Sequence, residues 1–303
     1  MQWEGACMRP QKLVSLSEAI GNIPNGASVA VGTKREPMAL IYELLRQRKP
    51  LDTLYELRCG FSAELLAGAG LIRQLCVPQL MFPGGEVPPR LTFMAERQAL
   101  AVQKIPLECL AEQLRAGCDG RPFAVADLPD ALLSAYPQTF RSVPQPFAGG
   151  SVTVAAALNP DVALIHAHCA DRFGNVLLDP LPCADRNQDI LPAKAARMVI
   201  VSAEQIVSEE TVQKNDRYTL LTADQVDYVA EAPYGCYPRE YEKRYLADQG
   251  HLSTYLGQAQ TPEGFSDYMR TCLQSGGDWY GFLESAGLQR LFALTVNRRG
   301  ASF

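Results

Sequence analysis

The sequence lacks the features that mark several large functional classes. Its 303 residues include only three histidines, and no two of its nine cysteines stand in C-x-x-C spacing. That excludes a zinc knuckle and a thioredoxin-type dithiol. The cysteines, at positions 7, 59, 76, 109, 118, 169, 183, 236 and 272, are scattered and odd in number, the pattern of free thiols kept reduced in a cytosol. No stretch approaches the run of about 18 apolar residues that a spanning helix needs. Residues 1–11 carry no apolar run of signal-peptide type, so the expectation is a cytoplasmic protein with no membrane partner. Lys and Arg are not in surplus: 28 of them face 33 Asp and Glu, a formal charge of −5, which argues against a nucleic-acid partner. The P-loop pattern G-x-x-x-x-G-K-[ST] is missing, and there is neither an internal repeat nor a low-complexity segment.

What the chain does have is an ordinary globular composition, 47% hydrophobic and 20% charged, with length enough for a large buried core. Ser15-Leu-Ser-Glu18 is a capping box, and Leu16, Ala19, Ile20 and Ile23 behind it fall on one helical face. Pro24-Asn25-Gly26 stops that helix. Residues 27–31 (ASVAV) read as a buried parallel strand, Gly32 to Glu36 as a tight loop, and Pro37 as the first residue of a helix with Met38, Ile41, Leu44 and Leu45 inward. The alternation continues, with strands expected at 51–57, 79–82, 122–126, 152–157, 161–166, 198–202 and 227–232. Helices are expected at 62–68, 91–102, 106–116 and 184–196. Residues 127–150, rich in Pro, Ser and Gln, read as an excursion from the sheet over a cleft. Two tail helices, 261–274 and 278–286, are expected to pack back on the body. The fold class is α/β, an open, mostly parallel sheet with helices on both faces. The expected organisation is one domain over 12–303 with a helical tail at about 261–287, preceded by an extension at 1–11.

In such sheets ligands bind beyond the carboxyl ends of the strands, which singles out the loops 32–36, 58–61 and 82–89. Gly32, Thr33, Lys34 and Arg35 lie between a buried strand and a helix N-terminus, where free amides and two cations suit a phosphate or carboxylate; the alternative is a solvated turn. Glu36 partly offsets that field. Cys59, Gly60 and Phe61 follow the second strand. Cys59 invites a thiolate reading, but no histidine is evidently placed to activate it, and the alternative is a small core residue. Phe82, Gly84, Gly85 and Glu86 belong to a rigid Pro-Gly-Gly-Glu loop. His166-Ala-His168 invites a metal reading, against which stands the shortage of further ligands; no metal site is expected. Pro233-Tyr-Gly-Cys-Tyr-Pro238 is a stiff loop that either lines a pocket or seals an interface.

Several stretches together resemble the α subunit of family I CoA-transferases of the glutaconate CoA-transferase type. They are Ser15 to Ile20, Arg35-Glu-Pro-Met-Ala-Leu-Ile-Tyr-Glu-Leu-Leu-Arg46, Asp161 to Ala167, Asp171 to Asn175, Val201 to Glu210, Asp227-Tyr-Val-Ala-Glu-Ala-Pro-Tyr-Gly235 and Phe282 to Val296. The resemblance covers nearly the whole chain and extends to α subunits of related steroid-ring hydrolases and methylglutaconyl-CoA decarboxylases. It implies an open sheet like that of sugar-phosphate isomerases and a partner β subunit, in a heterodimer or an α2β2 heterotetramer. It also implies a coenzyme A thioester as substrate, with no tightly bound cofactor. The catalytic glutamate would sit on the β subunit and form a glutamyl-CoA intermediate, leaving no catalytic nucleophile in this chain. Gly32 to Arg35 would bind a substrate carboxylate or the thioester end, with Cys59, Gly60, Phe61, Phe82, Gly84, Gly85 and Glu86 shaping the acyl pocket. This sequence has a single glycine after the first strand where the family has two and an aromatic residue, and its loop is about three residues shorter. That departure favours, as alternatives, an acyl-CoA hydrolase or decarboxylase on the same scaffold; a non-catalytic scaffold subunit is the third.

Overall fold

The computed structural model describes residues 10–126, 128, 130–145, 147, 149–178, 183–274 and 277–296. The expected extension at 1–11 therefore lies almost wholly outside the described residues. The strands are β1 Ala27–Val31, β2 Leu51–Glu56, β3 Ile72–Val77, β4 Ala101–Lys104, β5 Phe123–Val125 and β6 Phe140–Pro144, followed by β7 Ser151–Ala156, β8 Val162–Asp171, β9 Val176–Leu177, β10 Met198–Val207, β11 Thr219–Leu221 and β12 Tyr228–Glu231. The helices are α1 Leu16–Gly21, α2 Met38–Arg46, α3 Phe61–Gly68, α4 Pro89–Glu96, α5 Leu107–Cys118 and α6 Asp130–Ala135, followed by α7 Cys183–Ala195, α8 Glu209–Lys214, α9 Gln249–Gln258, α10 Pro262–Gln274, α11 Trp279–Ala286 and α12 Leu288–Leu294.

Seven strands run parallel in the order β12-β10-β8-β1-β2-β3-β4, and the short antiparallel pair β9 and β11 attaches to the far end of β8. The chain winds outward from β1 through β2, β3 and β4, then returns to β8 and winds the other way, so β1 and β8 flank the switch point. Every residue of β8 is buried, as a central strand covered on both faces requires. The main hydrophobic cluster combines β1, β2 and β3 with α2 and α3, and Tyr255, Phe265, Tyr268, Trp279 and Phe282 of α9, α10 and α11 join it. The tail helices thus share the core of the sheet. No helix among the described residues is long and apolar enough to cross a membrane.

Three expectations are corrected. Residues 79–82 are not a strand; the ladder runs through Ile72–Val77 and stops before Pro78, which has no N–H to extend it. The helix expected over 91–102 ends at Glu96, turns at Gln98 (φ 58°), and gives way to the edge strand β4. The strands expected at 122–126 and 152–157 are β5 and β7, but they lie in a separate three-stranded sheet, where β7 pairs antiparallel with β5 on one side and β6 on the other. That small sheet covers α5 and α7 through Phe140, Ala155, Leu110, Leu114 and Leu191. The excursion at 127–150, of which residues 127, 129, 146 and 148 lie outside the described set, supplies α6 and β6.

Candidate functional site

Beyond the carboxyl ends of β2 and β3 opens a cavity of about 670 Å³, a size suited to a small organic ligand. Phe61 enters it from the start of α3, and Phe82, Pro83, Gly84 and Glu86 from the loop after β3. Arg239, Glu240, Leu246 and Ala247 reach it from the segment after β12. The remaining wall comes from α9, through Gln249, Leu252, Ser253, Tyr255 and Leu256. The surface is mainly aromatic and aliphatic, with Arg239 as its cation and Glu86 and Glu240 as its carboxylates.

The loop after β3 is closed on itself: the Phe82 amide donates to the Glu86 carbonyl at 2.9 Å and the Gly85 amide to the Phe82 carbonyl at 2.9 Å. Gly85 has φ 93°, a conformation that glycine adopts without strain, and this turn presents Phe82 and Glu86 side by side. α9 is held from two ends. Asp248 caps it, accepting from the His251 amide at 2.9 Å and from the Tyr237 hydroxyl at 2.9 Å. Tyr255 donates to Glu64 at 2.6 Å, and the same buried carboxylate accepts from the Arg90 and Leu91 amides at the start of α4 at 2.9 and 2.7 Å. One acid on α3 therefore fixes both the cavity wall and the next helix.

Behind Phe61 lies a constellation of buried acids. The Glu36 carboxylate accepts from the Ser62 amide at 3.0 Å and lies 3.3 Å from the Ser62 hydroxyl. Glu56 accepts from the Gly60 amide at 2.8 Å and lies 2.6 Å from the same hydroxyl. A Cβ on Gly60 would stand 2.8 Å from Glu36, so only glycine lets the two acids converge there. Both crowd the N-terminus of α3, whose amides and dipole offset part of their charge. Burial nevertheless raises Glu36 above the usual carboxylate range, against the opposing effect of Arg239, which lies 3.5 Å away. Glu56 is pushed up to about 8, by burial first and by the neighbouring Glu36 second.

The residues singled out in the sequence separate into two groups. Phe61, Phe82, Gly84 and Glu86 are brought together on the cavity wall. Gly32, Thr33, Lys34, Arg35, Cys59, Gly60 and Gly85 are not among its lining residues. The Gly32 amide joins the loop to β8 by donating to the Leu164 carbonyl at 2.9 Å, and Thr33 is buried. Arg35 is turned into the fold: it is 1% exposed, 3.3 Å from Asp189 of α7, and stacked over the Tyr241 ring at 5.1 Å. Lys34 pairs with Glu242 at 3.1 Å. Both cations are thus engaged by acids of the fold, Arg35 by Asp189 and Lys34 by Glu242. Cys59 is buried, and burial, followed by Glu56, Glu36 and Glu64, pushes its thiol far up, as expected of a core residue rather than a thiolate.

Other parts of the sequence reading find structural explanations. The ring nitrogens of His166 meet Ser202 at 2.9 Å and Glu204 at 2.8 Å. Glu204 also accepts from the Tyr234 and Gly235 amides at 2.8 and 3.1 Å and from the Tyr245 hydroxyl at 2.6 Å. Its burial is outweighed by these partners, so it stays below the usual range. His168 is bonded to Arg244. Within the stiff loop Cys236 and Tyr237 are fully buried, and the residues that reach the cavity, Arg239 and Glu240 first among them, lie beyond it. Arg239 was missed as a lining residue, and Glu36 and Glu56 were missed as the buried acids near it. Their sequence signal is position alone: Glu56 closes β2, Glu36 lies in the loop after β1, and Arg239 follows the stiff loop after β12.

A family model described as coenzyme A transferase matches residues 13–226. A glutaconate CoA-transferase chain of Acidaminococcus fermentans is 26% identical over 94% of this chain and 95% of its own. The crystal structure of that organism's glutaconate coenzyme A-transferase superposes with a TM-score of 0.86 at 25% identity, covering 94% of this chain and 96% of that one. The decarboxylase AibA/AibB superposes with a TM-score of 0.75 at 32% identity, covering 88% of this chain and all (100%) of the matched one. An uncharacterized Archaeoglobus fulgidus protein is 27% identical over 91% of this chain, which spans 62% of that protein's length. With seven parallel strands, a cavity at their carboxyl ends and a family match across most of the sheet, the chain belongs to the coenzyme A transferase family.

Proposed function

We propose that the chain is the α subunit of a heteromeric CoA-transferase and works with a β subunit in a heterodimer or an α2β2 heterotetramer in the cytoplasm. CoA passes from an acyl-CoA to a second carboxylic acid through a glutamyl-CoA intermediate on the β subunit. Covalent catalysis of this kind divides one acyl exchange into two easier steps. The coenzyme A thioester is substrate, and no tightly bound cofactor takes part. This chain contributes the acyl cavity: Phe61, Phe82, Leu252 and Leu256 enclose the apolar part of the acyl group, and Arg239 and Glu86 meet its polar end. Gly32 to Arg35, Cys59, Gly60 and Gly85 hold those walls in place. The observation that carries this reading is the match in fold along 94% of the chain to a protein named for that activity.

A related decarboxylase on the same scaffold is the second reading, favoured by the 32% identity to the decarboxylase AibA/AibB. One experiment separates them: purify the chain with its β partner and follow an acyl-CoA panel by mass spectrometry, with and without acceptor acids. Transfer requires a new acyl-CoA that forms only when an acceptor is present. Product formed without an acceptor moves the assignment to the second reading. A chain that neither assembles with a β subunit nor binds acyl-CoA would leave only a scaffold role.

A further inference from the structure

The Ser62 hydroxyl stands between two carboxyl groups, 2.6 Å from Glu56 and 3.3 Å from Glu36. A hydroxyl has one proton to donate, so it cannot satisfy two ionised carboxylates at once. Each acid has a second anchor. Glu56 accepts the Gly60 and Ala63 amides; Glu36 accepts the Ser62 amide and faces the Arg239 guanidinium at 3.5 Å. The cation therefore lies on the Glu36 side, and the shorter contact lies on the Glu56 side. The arrangement closes without conflict when Glu56 carries a proton and donates it to the Ser62 oxygen, while Ser62 donates its own to the ionised Glu36.

We infer that Glu56 is a positioning residue for acyl recognition: as a neutral acid it donates to Ser62 and, through Ser62 and Glu36, holds Arg239 on the cavity wall. Arg239 lines the cavity; Glu56, Ser62 and Glu36 do not. The role rests on the reading of that cavity as the acyl site. The surroundings favour the neutral form. Facing the pair are Cys59, whose thiol is held protonated, and Glu64, engaged by Tyr255 and two α4 amides; Arg239 and Glu240 act on Glu36. Glu56 itself titrates near 8. When it ionises, it takes the Ser62 proton to itself, Glu36 loses a donor and gains an adjacent anion, and the support of Arg239 slackens.

The test uses the assembled enzyme. Its KM for acyl-CoA is expected to be flat at neutral pH and to rise as the pH passes about 8, with kcat unchanged. One unit above the midpoint the rise is about tenfold if only the protonated form binds. Glu56→Gln places an amide that donates to Ser62 and accepts from Gly60 without ionising, so it should keep the neutral-pH KM and lose the alkaline rise. A Glu56→Gln enzyme that retains the rise, or that binds poorly at neutral pH while folded, overturns the assignment. Infrared difference spectra of the full chain, labelled with carbon-13 glutamate, read the same proton without any substrate. A protonated carboxyl band that titrates near pH 8 is expected in the unsubstituted chain, and its absence rejects the neutral acid. An assembled enzyme with that band but no acyl-CoA activity would reject the functional reading, and the recognition role that rests on it, while the neutral acid stands.

Discussion

Behind the loop after β1, Asp189 is fully buried and accepts from the Lys34 and Arg35 amides, with the Arg35 guanidinium 3.3 Å away. Behind the loop after β2, Glu56 is just as deeply buried and accepts from the Gly60 and Ala63 amides, with no cation beside it among the described residues and a second acid beyond Ser62. Burial raises both. Asp189 rises to about 6, because Arg35 and the two amides oppose the effect, and Glu56 to about 8, because Glu36 adds to it. Neutral pH falls between those values, so the first acid is an anion held by a cation and the second is a neutral donor. Two ways of hiding a carboxyl group thus stand in adjacent loops: the β1 loop is locked by an ion pair, and the β2 loop by a proton.

The sharpest way to break the comparison is to remove the cation. Arg35→Ala should destabilise the fold by about 3–5 kcal/mol, read from the urea midpoint, because it strands Asp189 as an unpaired buried anion. Replacing the pair together, Arg35→Met with Asp189→Leu, should recover most of that loss. A double variant as unstable as the single one would show that the pair matters through shape rather than charge. On the other side, Gly60→Ala would drive a methyl group against Glu36, and chemical denaturation should show a loss of about 1–3 kcal/mol.

The third prediction concerns pH. A carboxyl raised from 4.5 to about 8 on folding binds its proton more tightly in the native state. Its stabilisation is full at low pH and is lost as pH rises through the window from about 4.5 to 8, at up to about 1.4 kcal/mol per unit. Glu56→Gln should flatten the stability profile across that window. Asp189 has the same sign over a lower window, about 3.8 to 6, so the slope between pH 6 and 8 isolates Glu56 from it. An unchanged slope there would leave the neutral acid without support. The smallest effect belongs to Lys34→Ala: its pair with Glu242 is partly exposed, and the midpoint should move by less than about 1 kcal/mol.

The strands around the switch point were legible because β1 and the first halves of β8 and β10 are apolar, largely buried runs; the polar second halves of β8 and β10 extend beyond what was expected. The loop 58–61 was legible because Gly60 marks where β2 has stopped, and 82–86 because its own proline and glycines mark a turn. β3 was not, because Arg73 and Gln74 interrupt its apolar run while residues 79–82 carry a more hydrophobic one between two prolines. The β4 residues Ala101 and Val102 continued the helical spacing of Leu91 and Met94 by coincidence. The direction of Arg35 could not be read locally, since its partner Asp189 is 154 positions away. Arg239 and Glu36 are farther apart still in sequence, and neither loop alone announces the pair.

The Glu64–Tyr255 bond has a consequence for how this scaffold can change. It docks α9 on α3 through a polar contact at 2.6 Å, while Leu252, Ser253 and Leu256 project into the cavity from the same helix. None of those three belongs to a strand or supports the ladder. Substitutions along α9 can therefore widen, narrow or re-polarise the chamber while its attachment point stays fixed. Selectivity in such a protein can drift on one replaceable wall, and the parallel sheet need not be rebuilt each time the ligand differs.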